Sequence, residues 1–177
     1  QYLIDRGYDD ILDDSVLTHL IENISYLDFS SNSLTNYYGN DIYISDLTGI
    51  EDMVNLGSLF YALPHLKGLL DLSNNLKLSH FEAYGDSLTA INFSNNNNSE
   101  LRNIYIKHNN GYSYIDSLNL SNLRELQTVR FSFLENLEYV SLANSDSALI
   151  EVTGYHNPNL VQIYFENNYN LPYVGFE

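Results

Sequence analysis

Residues 88–96 read LTAINFSNN and place apolar side chains at Leu88, Ile91 and Phe93, followed by an asparagine at Asn96. The same template, L-x-x-L-x-L-x-x-N, recurs at residues 24–32, 101–109 and 160–168. Taking its second apolar position as a marker, the series runs through residues 59, 70, 81, 91, 104, 118, 129, 140, 152, 163 and 174. Two successive steps of this series make a full repeat of 21–25 residues, except for 27 between markers 91 and 118, which indicates a repeat architecture.

The spacing within each unit predicts a solenoid. The L-x-L core puts two apolar residues on one side of a short strand, and a single coil cannot bury that side without neighbours stacked on it. The asparagine falls where the strand turns, because its amide can bond turn backbone groups and the residue tolerates the left-handed conformation. We therefore predict an α/β-class but mostly β solenoid, a right-handed curved coil with a parallel sheet and a small N-terminal cap. A β-sandwich is the alternative, but sandwiches do not repeat a nine-residue template.

Composition narrows the possible partners. The 177 residues suit one domain, taken as residues 1–177, and the absence of cysteine excludes disulfides and thiolate metal sites. With 23 acidic and 7 basic residues the formal charge is −16, which argues against binding nucleic acid or anionic membranes. No apolar run approaches the ~20 residues of a membrane span, so membrane insertion is not expected.

The repeat resembles that of bacterial extracellular leucine-rich repeat (LRR) proteins of the internalin-like and short-repeat surface-adhesin type. The resemblance rests on ISYLDFSSN at 24–32, ISDLTGIEDMVNLGSL at 44–59, LDLSNN at 70–75 and LTAINFSNNN at 88–97. It implies a cap over residues 1–23, repeats over 24–176 and a non-catalytic recognition role, extracellular or at a bacterial cell surface. The chain departs from the pattern where Pro64, Leu123 and Leu134 replace the asparagine and where Lys67 interrupts the template.

Extra residues in the series predict loops. From residue 27 to marker 59 the step is about ten residues longer than one repeat, which indicates a loop insertion at 33–43. Smaller excesses fall near residues 95–99 and 110–114. Solenoid insertions form loops on a rim and often line binding surfaces, although a plain surface loop explains each one as well.

The two alternating series of strands differ in the residues that strand alternation turns outward. Markers 59, 81, 104, 129, 152 and 174 carry aromatic and cationic residues there, whereas the other series carries mostly Ser, Ala, Asn and Asp. Aromatic residues and arginine are enriched at recognition surfaces, so we predict that the first series forms a concave binding sheet. Cross-strand pairing that only stabilises the sheet is the alternative. The candidate ligand-binding residues are Phe60, His80, Glu82, Tyr84, Asn103, Tyr105, Lys107, Arg130, Glu151 and Tyr155.

Catalysis, a metal and a cofactor are not expected. His80 and Glu82 match half of the zinc deaminase motif, but its cysteines are absent. His80, His108 and His156 fall near one level of the predicted coil, which is a weak basis for a metal site. The acidic residues near Asp9 and Asp10 lack the glycine of an EF-hand loop and are interpreted as a solvated cap.

Three non-catalytic functions remain. The first is an adhesion module, expected to be a monomer, that binds a protein at a cell surface through the concave face. The second is a glycan-binding module in which Tyr84, Tyr105 and Tyr155 serve as stacking platforms. The third is a structural spacer within a larger surface protein.

Overall fold

The computed structural model describes residues 2–5, 7–10, 16–29, 44–63, 65–85, 87–93, 100–108, 113–145 and 148–177. The predicted loop at 33–43 and the stretch at 95–99 lie outside the described residues, as does most of the stretch at 110–114. The template asparagines Asn96 and Asn109 also lie outside them.

The described residues are mostly strand. The strands are β1 (Tyr26–Phe29), β2 (Ser58–Tyr61), β3 (Lys67–Asp71), β4 (His80–Tyr84), β5 (Ser87–Asn92), β6 (Asn103–Lys107), β7 (Ser117–Asn119), β8 (Thr128–Ser132), β9 (Tyr139–Ser141), β10 (Glu151–Tyr155), β11 (Gln162–Tyr164) and β12 (Val174–Phe176). The helices are single turns, α1 (Tyr2–Asp5) and α2 (Thr18–Ile21), with a 3₁₀ turn at Ile50–Asp52. A four-residue helix is unstable alone, so α2 depends on tertiary packing such as that of its buried Ile21. None of the described helices has the length and apolar character needed to cross a membrane.

The first series of strands forms one parallel sheet in the order β1-β2-β4-β6-β8-β10-β12. The register pairs the marker residues directly across the strands, from Leu27 and Leu59 through Ile104 to Val174. The prediction of a mostly β solenoid with parallel sheets and little helix is confirmed, and the coil makes about five turns. Its right-handedness, its concave side and its membership of the LRR family stay predictions.

The second series forms two shorter parallel sheets, β3-β5 and β7-β9-β11. The ladder is interrupted between β5 and β7. In the sequence, the two marker steps between these strands are 13 and 14 residues instead of about eleven. The longer steps thus coincide with the break in the second side of the solenoid, whereas the first side stays continuous.

The inward residues of both series fill one apolar core. Two template positions lack an apolar side chain, and the structure shows how each is accommodated. At the first, Lys67 is exposed and Leu66 is buried instead, with a register irregularity between Gly68 and Leu69. At the second, Gly154 leaves room for the rings of neighbouring strands, since a β-carbon there would lie 2.6 Å from the Phe131 ring.

Template asparagines tie each coil to the one before it. The amide nitrogen of Asn75 lies 2.8 Å from the carbonyl oxygen of Ile50 and 3.0 Å from that of Met53. Asn168 donates in the same way to the carbonyl of Leu142, at 2.7 Å. These bonds give turn carbonyls a donor from the next coil, in addition to the turn N–H groups that the carbonyls of Ile50 and Met53 already accept.

A second set of asparagines stacks along the edge of the β7-β9-β11 side. Asn122, Asn144 and Asn167 all have positive φ, at 65°, 60° and 59°. The amide nitrogen of Asn144 donates to the side-chain oxygen of Asn122 at 3.1 Å, and Asn167 donates to Asn144 at 2.7 Å. Asparagine is among the few residues that adopt this conformation at low cost, so the repeat demands it at this position.

Replacing Ile104 with Asp should unfold the middle of the stack. Ile104 is fully buried in β6, the central strand of the seven-stranded sheet, and burial of an unpaired carboxylate costs several kcal/mol. The matched control is Asn119→Asp on the exposed surface of β7, where the side-chain oxygen already accepts the N–H of Ser121 at 3.1 Å. Circular dichroism should show a far lower melting temperature for Ile104→Asp, and equal values for the two variants would contradict the register.

Replacing Asn75 with Ala should destabilise the chain by about 1 kcal/mol, because the carbonyls of Ile50 and Met53 each lose one of their two donors in a buried place. The neighbouring Asn74 is exposed, so Asn74→Ala should change the free energy of unfolding by less than about 0.5 kcal/mol. Urea titration of both variants measures the difference. A loss at Asn74 as large as that at Asn75 would refute the role of the buried amide.

Candidate functional site

The side of the seven-stranded sheet that points away from the core carries all ten candidate residues. We call this side the outer face. The in-register pairing arranges its residues in rows that cross the strands, since each outward position lies opposite the same position of the next strand. The first row is Tyr26, Ser58, His80, Asn103, Thr128 and Glu151, the second is Asp28, Phe60, Glu82, Tyr105, Arg130 and Thr153, and the third includes Tyr84, Lys107, Ser132 and Tyr155.

Aromatic side chains from four neighbouring strands contact one another across the first two rows. We call Tyr26, Phe60, His80 and Tyr105 the ring row. The centroids of Tyr26 and Phe60 are 5.5 Å apart, those of Phe60 and His80 are 4.8 Å apart and those of His80 and Tyr105 are 5.5 Å apart. The Phe60 and His80 planes differ by only 25° and the His80 and Tyr105 planes by 31°. The ring faces are therefore turned towards each other along the sheet.

Together with Glu151, to which it binds, Arg130 extends the ring row by two further strands. Its guanidinium carbon lies 5.3 Å from the centroid of the Tyr105 ring, a cation–π distance. The same guanidinium binds Glu151 with two hydrogen bonds, Nε to Oε1 at 2.8 Å and Nη2 to Oε2 at 2.9 Å. These bonds lower the pKa of Glu151 and raise that of Arg130, so the pair stays charged. The bidentate geometry holds the guanidinium plane in place over Tyr105.

Glu82 connects the ring row to the third row. One of its carboxylate oxygens lies 3.4 Å from Nε2 of His80, and the other accepts a hydrogen bond from the Tyr84 hydroxyl. The bond to Glu82, together with burial and the nearby negative charge, raises the pKa of Tyr84 to about 12. Tyr84 thus stays protonated and fixed to Glu82 across the physiological range.

A pocket of about 170 Å³ opens on the outer face between the second and third rows. Its walls include Tyr84, Tyr105, Lys107, Arg130 and Tyr155, five of the ten candidates. Its lining also includes Ser132 and Thr153. Thr153 is only 3% exposed, and its hydroxyl has no hydrogen-bond partner within the described part of the chain.

Three residues that the sequence reasoning missed belong to this surface. Tyr26 precedes Leu27 as Ser58 precedes Leu59, so extending the marker series back to residue 27 could have found it. Thr153 lies at an outward position, and no sequence signal indicates that neighbouring side chains bury it. Phe133 follows β8 with φ 60°, stacks at 4.7 Å on His156 and lies 5.7 Å from the Lys107 ammonium. Phe133 lies four residues after its marker, as Asn122, Asn144 and Asn167 do, so the repeat imposes a conformation that a bulky residue disfavours.

His80 does not share the level of His108 and His156, and that part of the prediction is wrong. His80 opens β4, whereas His108 and His156 follow the last residues of β6 and β10. Within the described ranges, no group of three or more His, Asp or Glu side chains could hold a metal ion.

No protein-family model, curated protein or solved structure matches this chain. The LRR family therefore stays an interpretation of the repeat. The case for a function rests on the geometry of the outer face.

Replacing Glu82 with Gln should lower the pKa of Tyr84 from about 12 towards 10, its ordinary value. In the wild type, the raised pKa of Tyr84 means that folding favours the neutral phenol. The hydrogen bond to Glu82 therefore stabilises the fold below pH 10, and this stabilisation is lost as the pH rises towards 12. NMR titration of ¹³Cζ-labelled tyrosine between pH 9 and 11 measures this change. Tyr84 should titrate in this range only in the variant, and an identical curve in the wild type would contradict the bond.

Proposed function

We propose that the chain is a non-catalytic recognition module that binds a protein partner through the outer face of the seven-stranded sheet. The observation that supports this most is the contiguous line of side chains formed by the ring row, Arg130 and Glu151 across six strands. Tyrosine and arginine are the residues that most often dominate the free energy of protein binding. The expected concave curvature of this side and its place at a bacterial cell surface belong to the same proposal.

Order within the ring row favours binding. Each ring is held by its neighbours before a partner arrives, so association costs less side-chain entropy than it would for free side chains. Seven strands about 4.8 Å apart, with about 16 Å of strand length, present a projected area on the order of 500 Å². A standard interface covers about 800 Å² per partner, so the partner should also contact the rim of the solenoid.

Protein binding is favoured over glycan binding by the orientation of the rings. A sugar stacks on an open aromatic face, but the Tyr105 ring lies between His80 and the Arg130 guanidinium. Of the other two proposed platforms, Tyr84 has its hydroxyl bound to Glu82. The faces of the Tyr105 ring are therefore occupied by neighbouring side chains, which leaves its edge and hydroxyl for contacts with a protein.

The contrast between the two sides of the solenoid favours recognition over a spacer role. The second series displays short polar residues such as Ser117, Asn119 and Ser121, which pair locally and with the next coil. A spacer needs no more than this on either side. Aromatic and cationic residues at the corresponding positions of the first series indicate a separate use of that face.

Replacing Tyr105 or Arg130 with Ala should each weaken partner binding about fivefold or more, because truncating a central anchor commonly costs at least 1 kcal/mol. Binding is measured by interferometry against a panel of purified cell-surface ectodomains, with the wild type as reference. Tyr139→Ala and Tyr164→Ala on the other side are the matched controls, since both residues are exposed on second-series strands. Loss of binding in the controls but not in the outer-face variants would refute the proposal.

The spacer and glycan alternatives give different results in the same experiment. A spacer predicts no saturable binding to any ectodomain by the wild type. If the chain is a glycan-binding module, it should bind different ectodomains alike, and this binding should disappear when the ectodomains are deglycosylated. Thermal unfolding of each variant separates lost contacts from lost folding, and only variants that stay folded at the assay temperature are counted.

A further inference from the structure

We propose that the pocket beside the ring row is a subsite for one carboxylate of the protein partner, namely a glutamate or aspartate side chain inserted between Lys107, Arg130 and Thr153. This inference rests on the proposed function and specifies which chemical group of the partner the outer face recognises. It is carried by a buried hydroxyl without a partner and by two cationic side chains that line the same pocket with aromatic walls.

The strand register brings the donors together. Lys107 lies opposite Ser132, and Ser132 lies opposite Tyr155 in the third row. Arg130 lies opposite Thr153 in the second row. Paired residues of adjacent strands lie about 5 Å apart, so an ammonium, a guanidinium and three hydroxyls surround one small volume.

These donors lack acceptors in the part of the chain that the structure describes. The Thr153 hydroxyl is buried without a partner, and an unmatched buried polar group is rare because it loses its hydration without compensation. Arg130 uses Nε and Nη2 to bind Glu151 and keeps its second terminal nitrogen for a further acceptor. Lys107 contacts the Phe133 ring but forms no ion pair with a described carboxylate.

The two glutamates on the strands that line the pocket are already engaged. Glu151 binds Arg130, and Glu82 binds the Tyr84 hydroxyl and lies 3.4 Å from His80. The positive charge of Lys107 is therefore uncompensated at the pocket and favours an anionic acceptor. The rings of Tyr84, Tyr105 and Tyr155 complete the lining, which suits a carboxylate on a short apolar stem.

Size and net charge limit the ligand further. A volume of about 170 Å³ leaves room for the five heavy atoms of a glutamate side chain. The chain carries a formal charge of −16, so an acidic partner is repelled at long range. Salt screens charges beyond about 8 Å, so Lys107 and Arg130 attract a carboxylate only at close range. The subsite therefore selects a carboxylate that lies in register rather than a generally acidic surface.

The test uses N-acetyl-glutamate N-methylamide as probe, titrated into the ¹⁵N-labelled chain and followed by NMR. We expect saturable shifts of the Ser132 and Thr153 amide signals with a millimolar dissociation constant. The isosteric glutamine compound should bind at least tenfold more weakly, because it lacks the charge. Equal affinity for the two compounds, or shifts confined to other residues, would overturn the subsite.

Two variants separate binding from folding. Lys107→Met should lower the affinity for the probe about fivefold. Lys67 is an exposed lysine on β3, on the other side of the solenoid, so Lys67→Met should leave this affinity unchanged. Thr153→Val should weaken the probe at least twofold and raise the melting temperature, because it removes a buried hydroxyl that has no partner. A lowered melting temperature would show that the hydroxyl is satisfied within the fold and would overturn its role.

Further measurements distinguish this inference from a site for an acidic sugar and from the proposed function. Glucuronate binding more than tenfold tighter than the glutamate probe would overturn the proposal in favour of an acidic sugar. If the probe binds as expected but no ectodomain binding depends on Tyr105 or Arg130, the proposed function fails and the subsite stands. If an ectodomain requires Tyr105 but tolerates Lys107→Met and Thr153→Val unchanged, the function stands and the subsite is refuted.

Discussion

No coil of this chain can bury its own apolar side chains, and this constraint governs the rest of the structure. Each short strand places two apolar residues inward, and only the coils before and after it can cover them. Stacking is stable when parallel strands pair in register, as Leu59, Phe81 and Ile104 do. The register then gives every repeat position a fixed place on the surface. Residues that occupy the same repeat position therefore line up in a row across the strands.

The rows explain why so much of the fold and of the candidate site could be predicted from the sequence. A period of two within the strand and of about eleven residues between strands fixes which side each residue faces. That is why Phe60, Tyr105 and Arg130 could be assigned to one face from their spacing to the markers alone. The parallel sheet of the first series could then be predicted from the alternation of the two series alone.

The features that could not be predicted depend on neighbours in space rather than on position in the repeat. Gly154 breaks the template, yet the rings of Phe131 and Phe176 occupy the space beside it. Thr153 is buried although alternation turns it outward. The single level predicted for the histidines is wrong for His80, which precedes its marker by one residue, whereas His108 and His156 follow theirs by four.

Asparagine supplies the stability that leaves the outer face available for function. Buried amides such as Asn75 satisfy turn carbonyls, and the stack of Asn122, Asn144 and Asn167 serves the second side, so neither task draws on aromatic residues. Features of the outer face carry costs instead: an unmatched hydroxyl at Thr153 and a disfavoured conformation at Phe133. Such costs persist where the surroundings enforce them and are concentrated at functional sites.

The same contacts that order the outer face also make its residues interdependent. His80 touches Phe60 and Tyr105 while lying beside Glu82, and Arg130 links Tyr105 to Glu151. Removing one member leaves its neighbours with freed ring faces or unpaired charge, so the effects of single substitutions on binding should not add. The free energy of recognition then belongs to the row as a unit, which is the expected consequence of building a binding surface from stacked repeats.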